Sequence, residues 1–176
     1  MYIGLKLTEG QQHMLDFVDA NTKNPHITLF YIGTDTNIPQ QMFEDVLHKL
    51  HVMMKEYPLD YLGKYTVVGM NRFTDVRNMY DEETHTIVLA TEPTDCVYYE
   101  VTGLTVLREE LKYELDKHSV PYSEDFKEFK PHITHSYVPA GKDAVSNQQF
   151  PVTLTFDSID LTYKDSTYSV KFPRRP

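Results

Sequence analysis

The tetrapeptide Pro-His-Ile-Thr occurs twice, as Pro25-His26-Ile27-Thr28 and as Pro131-His132-Ile133-Thr134, in opposite halves of the chain. A histidine and a threonine two positions apart can combine proton transfer with anion binding. An imidazole of ordinary pKa, about 6.5, takes or gives a proton near neutrality. A hydroxyl donates a hydrogen bond to an oxygen that gathers negative charge. Strand side chains alternate faces, so His26 and Thr28 share one face while Ile27 turns to the other; His132, Thr134 and Ile133 repeat the pattern. Each isoleucine anchors its strand in the core, and each proline opens the strand where no ladder donor is needed. Two such strands side by side would bring two imidazoles and two hydroxyls to one point. That set suits phosphoryl chemistry without a metal. One imidazole takes a proton from water or a ribose hydroxyl, and the other, protonated, gives one to the departing oxygen. Thr28 and Thr134 hold the non-bridging oxygens.

Bare His-x-Thr spacing carries little weight. The chain has 8 His and many Thr, so about one such pair is expected by chance. The weight lies on the four-residue repeat and on its placement in two expected strands. A pair of ordinary strand histidines would leave the repeat unexplained. A metal site is the other rival. His48 and His51 lie one helical turn apart, and His85 follows Asp81, Glu82 and Glu83, but no His-Glu-x-x-His or Cys/His ligand set is present. These residues, with His13 and His118, read as solvated helix and loop positions.

The elements that must hold the repeat can be read from periodicity. Tyr2–Leu7 alternates as a strand, with Ile3, Leu5 and Leu7 on one face. A helical pattern follows from about Glu9 to Ala20. Pro25–Ile32 is a β-branched and aromatic strand closed by Gly33. Pro39 opens a second helix to about Glu56, striped by Phe43, Val46, Leu47 and Leu50 and closed by Pro58. Strands are expected near Leu59–Met70 and Thr84–Ala90, with Arg72–Asp81 between them as a turn or extended hairpin. A third helix is expected over Tyr98–His118, with Leu104, Leu107, Leu111 and Leu115 inward. Phe129–Val138 reads as the second motif strand. Val152–Tyr163 and Thr167–Phe172 read as a hairpin joined by Lys164-Asp-Ser. No low-complexity linker breaks the chain. This order predicts an α+β class, with each half holding one motif strand near helices and antiparallel strands.

Composition narrows the partners. The net charge of −9 with neutral His repels a long polyanion, and no basic groove for duplex DNA is evident. The basic clusters are Lys171 with Arg174 and Arg175, and the pair Lys127 and Lys130. No run is long enough to cross a bilayer, and MYIGLKLTEG lacks the layout of a secretory signal. The lone Cys96 fits a reducing, cytoplasmic setting. No cofactor is expected, and a monomer is the simplest state.

The paired motifs and the element order resemble the two-histidine (2H) phosphoesterase superfamily, over nearly the whole chain from Tyr2 to Phe172. That superfamily includes RNA 2′,3′-cyclic phosphodiesterases, eukaryotic cyclic-phosphate and oligoadenylate phosphodiesterases, and phage enzymes that destroy cyclic-oligonucleotide immune signals. The resemblance implies His26 and His132 as the acid–base pair and Thr28 and Thr134 as phosphate binders. It also implies two pseudo-symmetric lobes of antiparallel sheet plus helices around a central cleft, in one domain over residues 1–176. One position departs from the pattern. The family places an apolar residue after the Thr; Leu29 obeys and His135 does not. By strand parity His135 would face inward, so it either hydrogen-bonds internally or marks a bulge.

The expected substrate is a small nucleotide phosphodiester: a 2′,3′-cyclic phosphate, or a short linear or cyclic oligonucleotide, including a signalling nucleotide of the kind phage members destroy. The 13 Tyr supply possible base-stacking surfaces. Tyr2 and Phe73 are candidates for base or ribose contact, Arg72 for steering a phosphate, and Tyr137 for the same pocket with its facing open. The competing readings are a module that sequesters a nucleotide without cleaving it, and an RNA-end-processing or repair enzyme.

Overall fold

The computed structural model describes residues 1–17, 24–56, 64–81, 86–124 and 128–173. His85, Lys127, Arg174 and Arg175 lie outside the described residues. The strands are β1 (Tyr2–Lys6), β2 (His26–Tyr31), β3 (Lys64–Phe73), β4 (Asn78–Asp81), β5 (Thr86–Leu89), β6 (Thr94–Thr102), β7 (His132–Pro139), β8 (Val152–Thr155), β9 (Ser158–Tyr163) and β10 (Ser166–Lys171). The helices are α1 (Glu9–Gln12), α2 (Gln40–Glu56) and α3 (Thr105–Lys117). Eight strands form one antiparallel sheet in the order β10-β9-β1-β2-β7-β6-β3-β8, and β4 pairs with β5 as a separate ribbon. This is the α+β class expected from the element order. The two four-strand halves are halves of one sheet, and they meet at β2 and β7. No helix among the described residues is long and apolar enough to cross a membrane.

Alternation settles which face is core. Ile3, Leu5, Ile27 and Ile133 are buried on one side and join one cluster with Leu107, Leu111 and Leu115 of α3 and with Phe43, Val46 and Leu50 of α2. Phe43 stacks on Tyr163 at 4.7 Å and leans on Tyr168 at 4.9 Å, which seats α2 against the β9–β10 hairpin. Lys164, at φ 53°, makes the turn of that hairpin.

Three expectations change. Of the helix expected over Glu9–Ala20, a single turn forms at Glu9–Gln12, and residues 18–20 lie outside the described residues. Thr8 and Gln11 form a capping box that starts it, but Asp16 is then drawn out of helical geometry. The Asp16 amide donates to Gln148 Oε1 at 2.7 Å, and the Asp16 carbonyl accepts the Tyr99 hydroxyl. The third helix begins at Thr105, not Tyr98. Cys96-Val-Tyr-Tyr-Glu-Val-Thr102 is a β-branched and aromatic run claimed by pairing with both β3 and β7, and Gly103 at φ 95° ends it. The run Val152–Tyr163 is two strands broken at Phe156 and Asp157. Its first part pairs with β3 at one edge of the sheet, and its second pairs with β1 in the other half.

Gly4 has a steric reason to be glycine. It faces Thr28 across the β1–β2 ladder, and a Cβ there would stand 2.4 Å from the Ile27 carbonyl oxygen. Backbone would have to move at the motif strand itself. Gly4→Ala is expected to destabilise by about 1–3 kcal/mol, seen as a lower urea midpoint at unchanged slope.

Candidate active site

β2 and β7 pair through Ile27 and Ile133, both fully buried. Antiparallel register then sets His26 across from Thr134 and Thr28 across from His132, all on the face opposite the isoleucines. The two tetrapeptides thus lie head to tail about a local twofold axis.

Both strands depart from regular pairing at the residue after the threonine. On β2 the register moves from Gly4–Thr28 to Ile3–Phe30, so Leu29 is an extra residue. On β7 it moves from Tyr98–Thr134 to Val97–Ser136, so His135 is extra. These are matched β-bulges, and each flips the parity beyond it. Tyr31 and Tyr137 therefore join the His/Thr face. The open question at His135 resolves both ways at once: the strand bulges there, and the side chain is 1% exposed with Nδ1 at 2.8 Å from Ser136 Oγ. Its ring meets Tyr99 edge-on at 5.5 Å and stacks by Phe17 at 6.4 Å.

The two motif histidines are held alike. His26 Nδ1 lies 2.7 Å from the Asn24 carbonyl oxygen, and His132 Nδ1 lies 2.7 Å from the Lys130 carbonyl oxygen. A carbonyl only accepts, so Nδ1 carries the proton in both rings, and Nε2 is the atom left to exchange one. Both rings are half-buried and flanked by aromatics. Tyr2 stacks on His26 at 4.5 Å, while Tyr98 and Phe73, stacked on each other at 4.3 Å, contact His132 at 5.2 and 5.1 Å. Desolvation lowers the His26 pKa to about 4, with the His132 and Lys6 charges adding to the fall and the Asn24 carbonyl opposing it. Desolvation also lowers that of His132, against the Lys130 carbonyl. The ladder neighbours differ in charge: Lys6 pairs with His26, and Glu100 pairs with His132.

A cavity of about 600 Å³ opens at this face, lined by Thr28, His132, Thr134, Phe73, Tyr31 and Tyr137 among others. It continues where β2 and the segment before β7 part company beyond the Ile27–Ile133 pair. No family model matches the chain, and no curated protein sequence matches it. The structure is similar to the crystal structure of the MHV ns2 PDE domain, with 15% identity, a TM-score of 0.50, and coverage of 88% of this chain and 87% of that one. The chain shares the fold of that domain.

Within this fold, most of the candidate residues named from sequence are brought together. His26, Thr28, His132 and Thr134 share one face; Tyr2 and Phe73 flank the two rings; Tyr137 reaches the cavity through the bulge. Arg72 is not brought there. Phe73 faces the site, so its neighbour Arg72 turns away, and it bonds Asp95 Oδ2 and the Lys142 carbonyl, each at 3.0 Å. The Gly141 amide and Arg72 hold the Asp95 carboxyl below its usual range, which ties the ends of β3, β6 and β7 together.

Sequence reasoning missed Tyr98, Tyr31 and Cys96. Tyr98 was hidden inside an expected helix. Tyr31 had a readable signal, because the repeat runs on as Pro-His-Ile-Thr-x-x-Tyr in both copies. Cys96 faces Tyr137 on the ladder and hydrogen-bonds with the Thr134 and Tyr137 side chains. Burial pushes its thiol up to about 11, so it is neutral and serves as a packing and orienting group.

Proposed function

We propose that the protein is a phosphodiesterase that cleaves a small nucleotide phosphodiester by acid–base catalysis between His26 and His132. The observation that carries this reading is the Ile27–Ile133 pairing, which gives two imidazoles with identical Nδ1 anchoring beside two threonine hydroxyls. The neighbour that shares the fold is a PDE domain, which supports a phosphodiester as the bond attacked. In this reading Thr28 and Thr134 donate to the non-bridging oxygens, whose charge grows in the transition state. One Nε2 takes the proton of the attacking oxygen, from water or a ribose hydroxyl. The other Nε2–H gives its proton to the departing ester oxygen.

The ladder charges support a division of labour. Lys6, the ladder neighbour of His26, favours its neutral ring, as a base requires, which leaves the proton to His132. His26 is the base and His132 the acid for the forward step. A cyclic intermediate, if formed, is opened with the roles exchanged.

A pH dependence follows. A base of pKa about 4 stays neutral down to that pH, so the acid limb of kcat/KM sits near 4, not near 6.5. An acid whose pKa is lowered from 6.5 loses its proton before pH 6.5, so the alkaline limb begins below that value. The kcat/KM optimum is expected between about pH 4 and 6.5. A bound phosphate anion raises both pKa values, so the kcat optimum lies at higher pH than that of kcat/KM. An optimum of kcat/KM above pH 7 would contradict the assignment.

The reading is tested with a substrate panel of 2′,3′-cyclic nucleotides, cyclic di- and trinucleotides and 2′–5′ oligoadenylate, with products identified by mass spectrometry. Turnover that persists in EDTA is expected. Tight binding of a nucleotide with no product would favour the sequestering module instead.

A further inference from the structure

The cavity does not end at the motif residues. It is lined by His132 and not by His26, and it runs down between β2 and the segment before β7 to Arg108 of α3. There the Arg108 guanidinium carbon lies 4.7 Å from the centre of the Phe30 ring and 4.6 Å from that of Phe129. An arginine offers a ligand a planar fork of N–H donors. Its Nε is buried without a hydrogen-bond partner, and no ion pair joins the side chain to another of the described residues. A half-buried positive charge with an unpartnered Nε is costly in a chain of net charge −9 that has carboxylates to spare. An anion with two oxygens at the right spacing satisfies the fork. Lys130 lines the same end of the cavity, with Glu128 Oε2 3.9 Å from its Nζ.

We infer that Arg108 forms a second phosphate subsite on the His132 side of the scissile bond, so that the substrate is an oligonucleotide carrying a further phosphate and not a nucleoside 2′,3′-cyclic monophosphate. This rests on the phosphodiesterase reading of the same cavity and narrows its substrate class. The Phe30 and Phe129 contacts restrict the guanidinium, so the spacing between the two phosphates is selected along with the charge. A guanine edge also offers two acceptors to an arginine fork, but it carries no charge to pair with the buried cation.

The test compares dinucleotides that differ only in a phosphate on the leaving nucleoside, each with adenine or with guanine there. The wild type is expected to prefer the phosphorylated member by about 10- to 100-fold in kcat/KM, and Arg108→Gln is expected to bring that ratio near one. Arg108→Lys, which keeps charge without the fork, should retain only part of the preference. Thermal unfolding of both variants checks that α3 stays packed. Calorimetric binding of the same pairs to the wild type and to Arg108→Gln reads the subsite without turnover. If nothing is cleaved but the binding preference appears and depends on Arg108, the catalytic reading fails and the subsite stands. A preference that follows guanine instead of the phosphate, a ratio unmoved by Arg108→Gln, or no preference in either measurement overturns the subsite.

Discussion

His26→Ala and His132→Ala should each lower turnover by about 10²- to 10⁴-fold, the range expected for losing one positioned acid or base. Neither ring carries the fold. Each is half-buried, and its Nδ1 bonds a carbonyl in its own approach segment, while the neighbouring isoleucines do the anchoring. Linkage sharpens the control at His26. Its folded pKa of about 4 lies below the ordinary 6.5, so the unfolded chain binds more protons between those values. Wild-type stability contributed by this group is therefore full above pH 6.5 and declines as pH falls toward 4. His26→Ala removes that decline, so at pH 5 the variant should unfold no more easily than the wild type while being nearly inactive. Steady-state kinetics beside urea unfolding at pH 5 and pH 7.5 checks both halves. Full activity in either variant would remove the acid–base assignment.

Thr28→Val and Thr134→Val should each cost about 10²- to 10³-fold in kcat, the penalty for losing one donor aimed at a developing oxyanion. Valine keeps the branched shape and the strand preference, so packing is nearly preserved. The two sites differ in what surrounds them. Thr134 also meets the Cys96 thiol, whereas Thr28 faces Gly4, which offers no side chain. Thr134→Val should thus cost more stability, and Thr28→Val should be the cleaner kinetic probe. A rise in KM with kcat unchanged in both would mean that the hydroxyls hold the ground state and give no special help to the transition state.

How much of this could be read from residues alone depends on how local each cause was. The His-x-Thr faces follow from strand parity over three residues, and parity is dictated by covalent geometry. The Leu104, Leu107, Leu111 and Leu115 stripe is equally local, and all four residues are fully buried. The true start of that helix is not local. Tyr98–Thr102 follows a pattern that either structure can use, and pairing with two strands distant in sequence decided it. The split of Val152–Tyr163 between the two halves of the sheet likewise depends on which edges remain open. Arg72 could be read only as a cation near a candidate strand, and its partner Asp95 lies on another strand of the ladder. His135 was readable as an anomaly, and the anomaly marks the bulge that brings Tyr137 to the cavity.

The matched geometry about Ile27 and Ile133 has a consequence for direction. A phosphodiester group has a local twofold axis of its own, since its two non-bridging oxygens are equivalent and its two ester oxygens nearly so. A site with the same symmetry meets either ester oxygen with the same imidazole and the same hydroxyl, and by itself cannot choose which bond breaks. The choice falls to the residues that spoil the symmetry. Lys6 stands where the other half has Glu100, Gly4 stands where the other half has Tyr98, and the cavity toward Arg108 opens past His132 alone. Chemistry can reside in the repeated half of the design while polarity resides in the unrepeated half, so the two can be altered separately.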